Sequence, residues 1–131
     1  MGVWAVVSVG VGAALGALLR WWLSILLNPV LPTLPLGTLA ANLLGGYLVG
    51  VAVAFFTERA GFPPELRLFI ITGFMGGLTT FSTFSAEAVS LLARSEYIWA
   101  SLHVLIHLAG SLIMTSLGIA TIRLLLKMKL I

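Results

Sequence analysis

Residues 73–85 read Gly73-Phe74-Met75-Gly76-Gly77-Leu78-Thr79-Thr80-Phe81-Ser82-Thr83-Phe84-Ser85. Two adjacent glycines are followed by hydroxyl side chains at five of the seven positions from 79 to 85. Glycine weakens a helix through backbone entropy, and serine and threonine compete for its hydrogen bonds. The stretch nevertheless sits inside a long apolar run, Leu66–Leu92. A helix interrupted at membrane depth is the expectation. Irregular backbone is tolerated there only where it is buried in protein or lines a cavity, and its freed carbonyls are ready cation ligands.

Working outward, three further apolar stretches reach the roughly 20 residues that cross a bilayer: Val3–Leu27, Thr38–Phe56 and Ile98–Leu126. Proline punctuates between them, at Pro29, Pro32, Pro35, Pro63 and Pro64, where it breaks no helix. Of 131 residues, 60% are hydrophobic and 8% charged, far from the about 25% charged residues of soluble domains. The reading is an all-α integral membrane protein, residues 1–131 forming one four-helix transmembrane domain. The first stretch ends at Trp21-Trp22 with no small-residue cleavage site, so it is read as a span and not as a leader.

Composition also narrows function. The net charge of +3 comes from 7 basic and 4 acidic side chains, too sparse for a nucleic-acid surface. No cysteine is present, which excludes disulfides and thiol chemistry. With two histidines, four glutamates and no aspartate, hydrolytic catalysis is hard to build, and the chain is not expected to be an enzyme. Arg59, Arg67, Arg123, Lys127 and Lys129 fall on one side of the spans, and Arg20 and Arg94 on the other. This bias puts both termini in the cytoplasm. Gly12/Gly16, Gly46/Gly50 and Gly73/Gly77 repeat the small-x-x-x-small spacing of close helix contacts, within one chain or between chains. Four short helices enclose little, so an oligomer is expected.

Polar residues inside the spans ask for a reason, because each is costly in lipid unless partnered. Arg20, near the end of the first span, reads either as a snorkelled anchor or as a vestibule cation that attracts anions. Asn42 supplies two donors and one acceptor, with Thr38 one turn earlier on the same face. Phe81 and Phe84 share a face, and their positive ring edges can favour an anion. Ser82, Thr83 and Ser85 add hydroxyls, and Glu87 is the one acid that approaches membrane depth. His103, His107, Ser111 and Thr115 recur every four residues as a polar line. Histidines at i, i+4 have metal-ligand spacing, yet a site needs a third ligand and no carboxylate or thiol is obvious nearby. Nearly all these groups are neutral hydrogen-bond donors, which suits a small anion whose water shell they replace.

Three motifs in order, Gly16-Ala17-Leu18-Leu19-Arg20-Trp21, Gly37-Thr38-Leu39-Ala40-Ala41-Asn42 and Gly76–Ser85, resemble the Fluc (CrcB) fluoride channels of bacteria, and the likeness covers the whole chain. The resemblance implies an antiparallel, dual-topology homodimer in the bacterial inner membrane. Its two pores would pass fluoride out of the cell by passive diffusion and protect it from fluoride toxicity. It implies an aromatic box of Phe81 and Phe84, donation from Asn42, hydroxyls from Ser82, Thr83 and Ser85, and a track of Thr38, His103, His107, Ser111 and Thr115. Arg20 and Glu87 would stand at the vestibule. A structural sodium ion on the two-fold axis would be held by the carbonyls of Gly76 and Thr79. The basic bias leaves open a heterodimer with an oppositely biased chain. The competing readings are a four-helix proton-coupled multidrug exporter and a structural or holin-like membrane subunit.

Overall fold

The computed structural model describes residues 2–131. Helix α1 spans Val3–Leu27 and runs into a short 3-10 turn, Asn28–Val30. Helix α2 covers Leu36–Glu58. Helix α3, residues 64–78, has regular ends at Pro64–Arg67 and Gly76–Leu78 around a wider π-helical stretch, Leu68–Met75. Helix α4 covers Phe81–Ala93, and α5 covers Tyr97–Lys127. No strand occurs among the described residues.

Prolines and caps account for the ends. Pro35 sits at the N-cap of α2, and Asn28 Oδ1 accepts from the Gly37 N–H at 2.7 Å, tying the connection from α1 to the start of α2. Pro64 occupies the first turn of α3, where its missing N–H costs nothing. Ser95, at φ 60°, turns the chain from α4 into α5, with Arg94 and Glu96 paired across it at 3.0 Å. The first span lies where the hydropathy places it. The others extend by one or two residues beyond the apolar run at each end, because helical hydrogen bonding continues into polar and proline-flanked positions.

Glycine packing sets the arrangement. A Cβ on Gly12 or Gly16 would collide with the backbone of Phe69, Phe74 or Leu78, and one on Gly73 or Gly77 with that of Val9 or Ala13. On the other side, Gly46 and Gly50 lie against Ser111 and Thr115, and Gly118 against Tyr47. All three glycine pairs therefore join helices of the same chain, α1 with α3 and α2 with α5. Helix α4 leans on α5. The interior is correspondingly small-residued, with Ala41, Ala52, Ala54, Ala88 and Ala100 buried beside Leu78 and Leu91. Large apolar side chains such as Ile98, 83% exposed, and Leu112, 71% exposed, face outward. Among the described residues, four helical stretches are long and apolar enough to cross a membrane, α3 and α4 together forming the third, and small residues inside with large ones outside suit packing in lipid.

Between α3 and α4 two residues leave the helical region. Thr79 has φ −83° and ψ 153°, and Thr80 has φ −150° and ψ 118°. The candidate site is built around them.

Candidate functional site

Asn42, on α2, grips Thr80 from both sides: its Oδ1 accepts from the Thr80 N–H at 2.7 Å and its Nδ2 donates to the Thr80 carbonyl at 3.0 Å. Two opposite bonds to one residue determine which way the amide points. The second Nδ2 hydrogen is then available to His107 Nδ1, 3.1 Å away. A nitrogen that receives a hydrogen bond carries no proton, so the neutral imidazole holds its proton on Nε2. His107 Nε2 is buried and has no hydrogen-bond partner. The outcome is an unpaired N–H donor in the protein interior, a group that costs free energy until something accepts from it.

Thr80 also starts α4. Its Oγ1 accepts from the Thr83 N–H at 3.1 Å, as an N-cap residue should. In a continuous helix the N–H groups of Thr80 and Thr83 would bond the carbonyls of Gly76 and Thr79. Here the first is taken by Asn42 and the second by the Thr80 hydroxyl, so both carbonyls are released. The Gly77 carbonyl is occupied instead by Arg20, whose Nε donates to it at 3.0 Å. Thr79 keeps itself in place by bonding Met75 O through both N–H, at 3.0 Å, and Oγ1, at 2.8 Å.

Four rings gather beside this turn. Phe84 stacks on His103 with centroids 5.2 Å apart, lies 4.8 Å from His107, and is 5.4 Å from Phe81. Phe84 is 7% exposed, whereas Phe81 is 74% exposed. A cavity of about 470 Å³ is lined by Asn42, Thr79, Thr80, both phenylalanines, His107 and Ser111. Beyond Phe84 a second cavity, about 340 Å³, is lined by Thr83, Glu87, Arg94 and the Pro32–Pro35 connection. Between the two lie the buried groups. Thr38 donates to Glu87 Oε1 at 2.6 Å, Glu87 Oε2 stands 3.5 Å from His103 Nε2, and His103 Nε2 reaches the Phe84 carbonyl at 3.3 Å.

The structure thus brings together Thr38, Asn42, Thr79, Phe81, Phe84, Glu87, His103, His107 and Ser111 around the two cavities and the wall that separates them. Thr83 faces the second cavity. The other candidates lie apart. Thr115 spends its hydroxyl on the Gly46 carbonyl at 3.0 Å, Arg20 is committed to Gly77, and Ser82 is exposed with its hydroxyl 3.2 Å from Thr80 Oγ1. Ser85 flanks the turn, whereas Gly76 belongs with Thr79 to the lining of the first cavity, with nothing within 4 Å of a Cβ built on it.

Residues 7–119 match the protein family described as CrcB-like protein, Camphor Resistance (CrcB). The chain belongs to the CrcB family. Among its CrcB relatives, a protein of Nitrosospira multiformis is 61% identical over 123 residues, covering 94% of this chain and 96% of the relative. One from Cupriavidus necator is 62% identical over 125 residues, covering 95% and 99%, and one from Ralstonia pickettii is 63% identical over 116 residues, covering 88% and 92%. Each of these relatives bears the name "Fluoride-specific ion channel FluC". Four long apolar helices and CrcB membership make the chain a multi-pass membrane protein. Two participants escaped the reading of the sequence. Thr80 is the hub of the turn, and its position as the last hydroxyl before Phe81 is an N-cap signal. Met75, whose carbonyl anchors Thr79, carries no signal, because its contribution is backbone alone.

Proposed function

We propose that the chain is a fluoride-selective channel that lets cytoplasmic fluoride leave the cell down its gradient. The observation that carries this reading is the Asn42–Thr80 lock, which aims the Nε2–H of His107 into a buried, unpartnered position beside Phe84. The names borne by relatives about 60% identical support the choice of fluoride. Selectivity requires donors held at short range to replace a tightly bound water shell. Asn42 and His107 are fixed by each other and by backbone, so their positions do not relax around a larger anion. Phe81 and Phe84 add ring edges, and Ser82, Thr83, Ser85 and Ser111 add hydroxyls along the way, whereas the hydroxyl protons of Thr38 and Thr115 are spent within the chain on Glu87 and Gly46. Arg20 and Glu87 belong to the vestibules, where Arg20 keeps guanidinium donors beyond the one used on Gly77.

The working unit in this reading is a dual-topology homodimer with the third span broken at Thr79–Thr80 and two pores along the subunit interface. The exposed ring of Phe81 would then meet the partner subunit and not lipid. A structural sodium ion suits the carbonyls of Gly76 and Thr79: both have lost their helical partners, and neutral oxygens are what a hard cation takes. Bound there, sodium supplies a fixed positive charge that joins the two chains. Hydrogen fluoride is a weak acid that crosses the bacterial plasma membrane neutral and dissociates inside, so a passive exit for the anion lowers its internal level and protects the cell.

The test is electrode-monitored fluoride release from vesicles that contain the purified protein and carry no pH gradient, with chloride as control. Rapid fluoride efflux without chloride efflux is expected. Absence of fluoride release, equal passage of chloride, or a strict need for a proton gradient would overturn the reading.

A further inference from the structure

Among the described residues, three buried side-chain atoms lack any hydrogen-bond partner: Glu87 Oε2, His103 Nδ1 and His107 Nε2. Their three side chains converge, and one potential ligand atom from each lies within 4.8 Å of the other two. The third ligand that the histidine pair needs is Glu87, which stands on α4 and is brought to α5 by the packing of those helices. We propose that Glu87, His103 and His107 form a binding site for one divalent transition-metal ion, Zn2+ foremost, and that its occupancy closes the pathway. The binding half stands alone; the closing half rests on the fluoride-channel reading.

Two imidazoles and one carboxylate are a three-protein-ligand zinc set with the fourth position open. Ligand atoms at tetrahedral angles on bonds of about 2.0–2.1 Å stand about 3.3 Å apart, and Glu87 Oε2 and His103 Nε2 are already at 3.5 Å. The carboxylate is oriented in advance: Thr38 holds Oε1 at 2.6 Å and leaves Oε2 free, the kind of outer support that metal ligands use. His103 Nδ1 has no partner, so the His103 proton can move there and release Nε2 for the metal. Nitrogen ligands select against Mg2+ and Ca2+, which prefer all-oxygen sets. Glu87 borders the 340 Å³ cavity beside Arg94 and the Pro32–Pro35 connection, which supplies a way in.

Closure follows from the same geometry. Ligation through His107 Nε2 shifts that ring's proton to Nδ1, where it confronts the Asn42 Nδ2–H, and the 3.1 Å bond between them is lost. Neither imidazole loses a proton, since each moves its own to Nδ1. The donor that faced the pathway becomes a divalent cation with an open coordination position, and an anion that arrives there is held instead of passed on.

The experiment uses tag-free, chelator-treated protein in detergent, titrated with Co2+ and then with Zn2+ in competition, alongside the same protein in fluoride-loaded vesicles. One Co2+ per chain with the strong visible bands of a tetrahedral site is expected, displaced by Zn2+ and indifferent to Mg2+. Glu87→Gln preserves the side-chain shape and the acceptor for Thr38. It should weaken binding by at least about tenfold, as should His103→Gln and His107→Gln, since even outer-shell losses cost 10–100-fold. Zn2+ should stop fluoride release from wild-type vesicles and a chelator should restore it. Folded wild-type protein without Co2+ bands, or binding that all three substitutions leave unchanged, overturns the site. Site-dependent binding in vesicles whose fluoride release ignores Zn2+ overturns closure. Co2+ binding in a protein that releases no fluoride would overturn the channel reading and the closure that rests on it, and would support the metal site.

Discussion

Asn42 and Thr80 hold each other by a reciprocal pair of hydrogen bonds, 2.7 Å from the Thr80 N–H to Oδ1 and 3.0 Å from Nδ2 to the Thr80 carbonyl. A helix of the second span thereby supplies both partners that one extended residue of the third span, Thr80, would lack. Asn42→Asp removes the donor arm, leaves the Thr80 carbonyl and His107 Nδ1 without it, and adds a negative charge beside the cavity. Fluoride release should fall below detection, and stability should drop by about 1–3 kcal/mol for the unpaired groups, read as a lower thermal midpoint in size-exclusion melts.

The two phenylalanines differ in what surrounds them within one chain. Phe84 is buried against both histidines and Phe81 is exposed. Replacing either with Ile should abolish fluoride release. Only Phe84→Ile should also loosen the fold of the chain, by about 1–3 kcal/mol for a shape change in a packed interior, so thermal melts separate the two variants.

Glycine substitutions should divide by what each faces. Gly50→Ala pushes a methyl group into the Thr115 backbone and Gly77→Ala one into that of Ala13, so both should lower the melting midpoint and the yield of folded protein. Gly10→Ala meets nothing within 4 Å. It should leave fluoride release unchanged and raise stability by up to about 1 kcal/mol, the helix preference for alanine.

Arg20→Lys keeps the positive charge and removes the Nε donor that holds the Gly77 carbonyl at 3.0 Å. If Arg20 acts by positioning the turn, the lysine variant loses about 1.5–3 kcal/mol of stability, the worth of a charged hydrogen bond, and its flux falls despite the retained charge. Flux equal to wild type would show that charge alone matters.

Exchange of sodium for a bulky organic cation should weaken dimer assembly or fluoride release, measured by size-exclusion profile and by the fluoride electrode. Indifference to the exchange would remove the proposed role of the Gly76 and Thr79 carbonyls.

The four spans were legible because length and apolar composition mark them, and five prolines mark the first two connections; α1 begins and ends where the hydropathy does. The extended pair Thr79–Thr80 falls within the glycine- and hydroxyl-rich stretch that singled itself out. Partners across helices were not legible. In lipid every outward face is apolar, so a periodic pattern does not reveal which helix stands opposite. Hence Gly12 and Gly73 announced a close contact but not each other, and Arg20 announced a cation but not the Gly77 carbonyl it holds. Glu87 looked remote from the histidines because 16 positions separate it from His103 along the chain, and only the turn between α4 and α5 closes that gap. The wide turn at Leu68–Met75 leaves no mark in composition at all.

Helix α4 begins at Phe81, on the wall of the 470 Å³ cavity. Its 13 residues align their peptide dipoles so that the positive end, equivalent to roughly half an elementary charge, lies there. That partial charge belongs to the main chain and survives every side-chain replacement that leaves α4 intact. Pathway variants that no longer conduct should therefore still draw halide ions weakly to the mouth of this helix, and loss of passage need not mean loss of attraction.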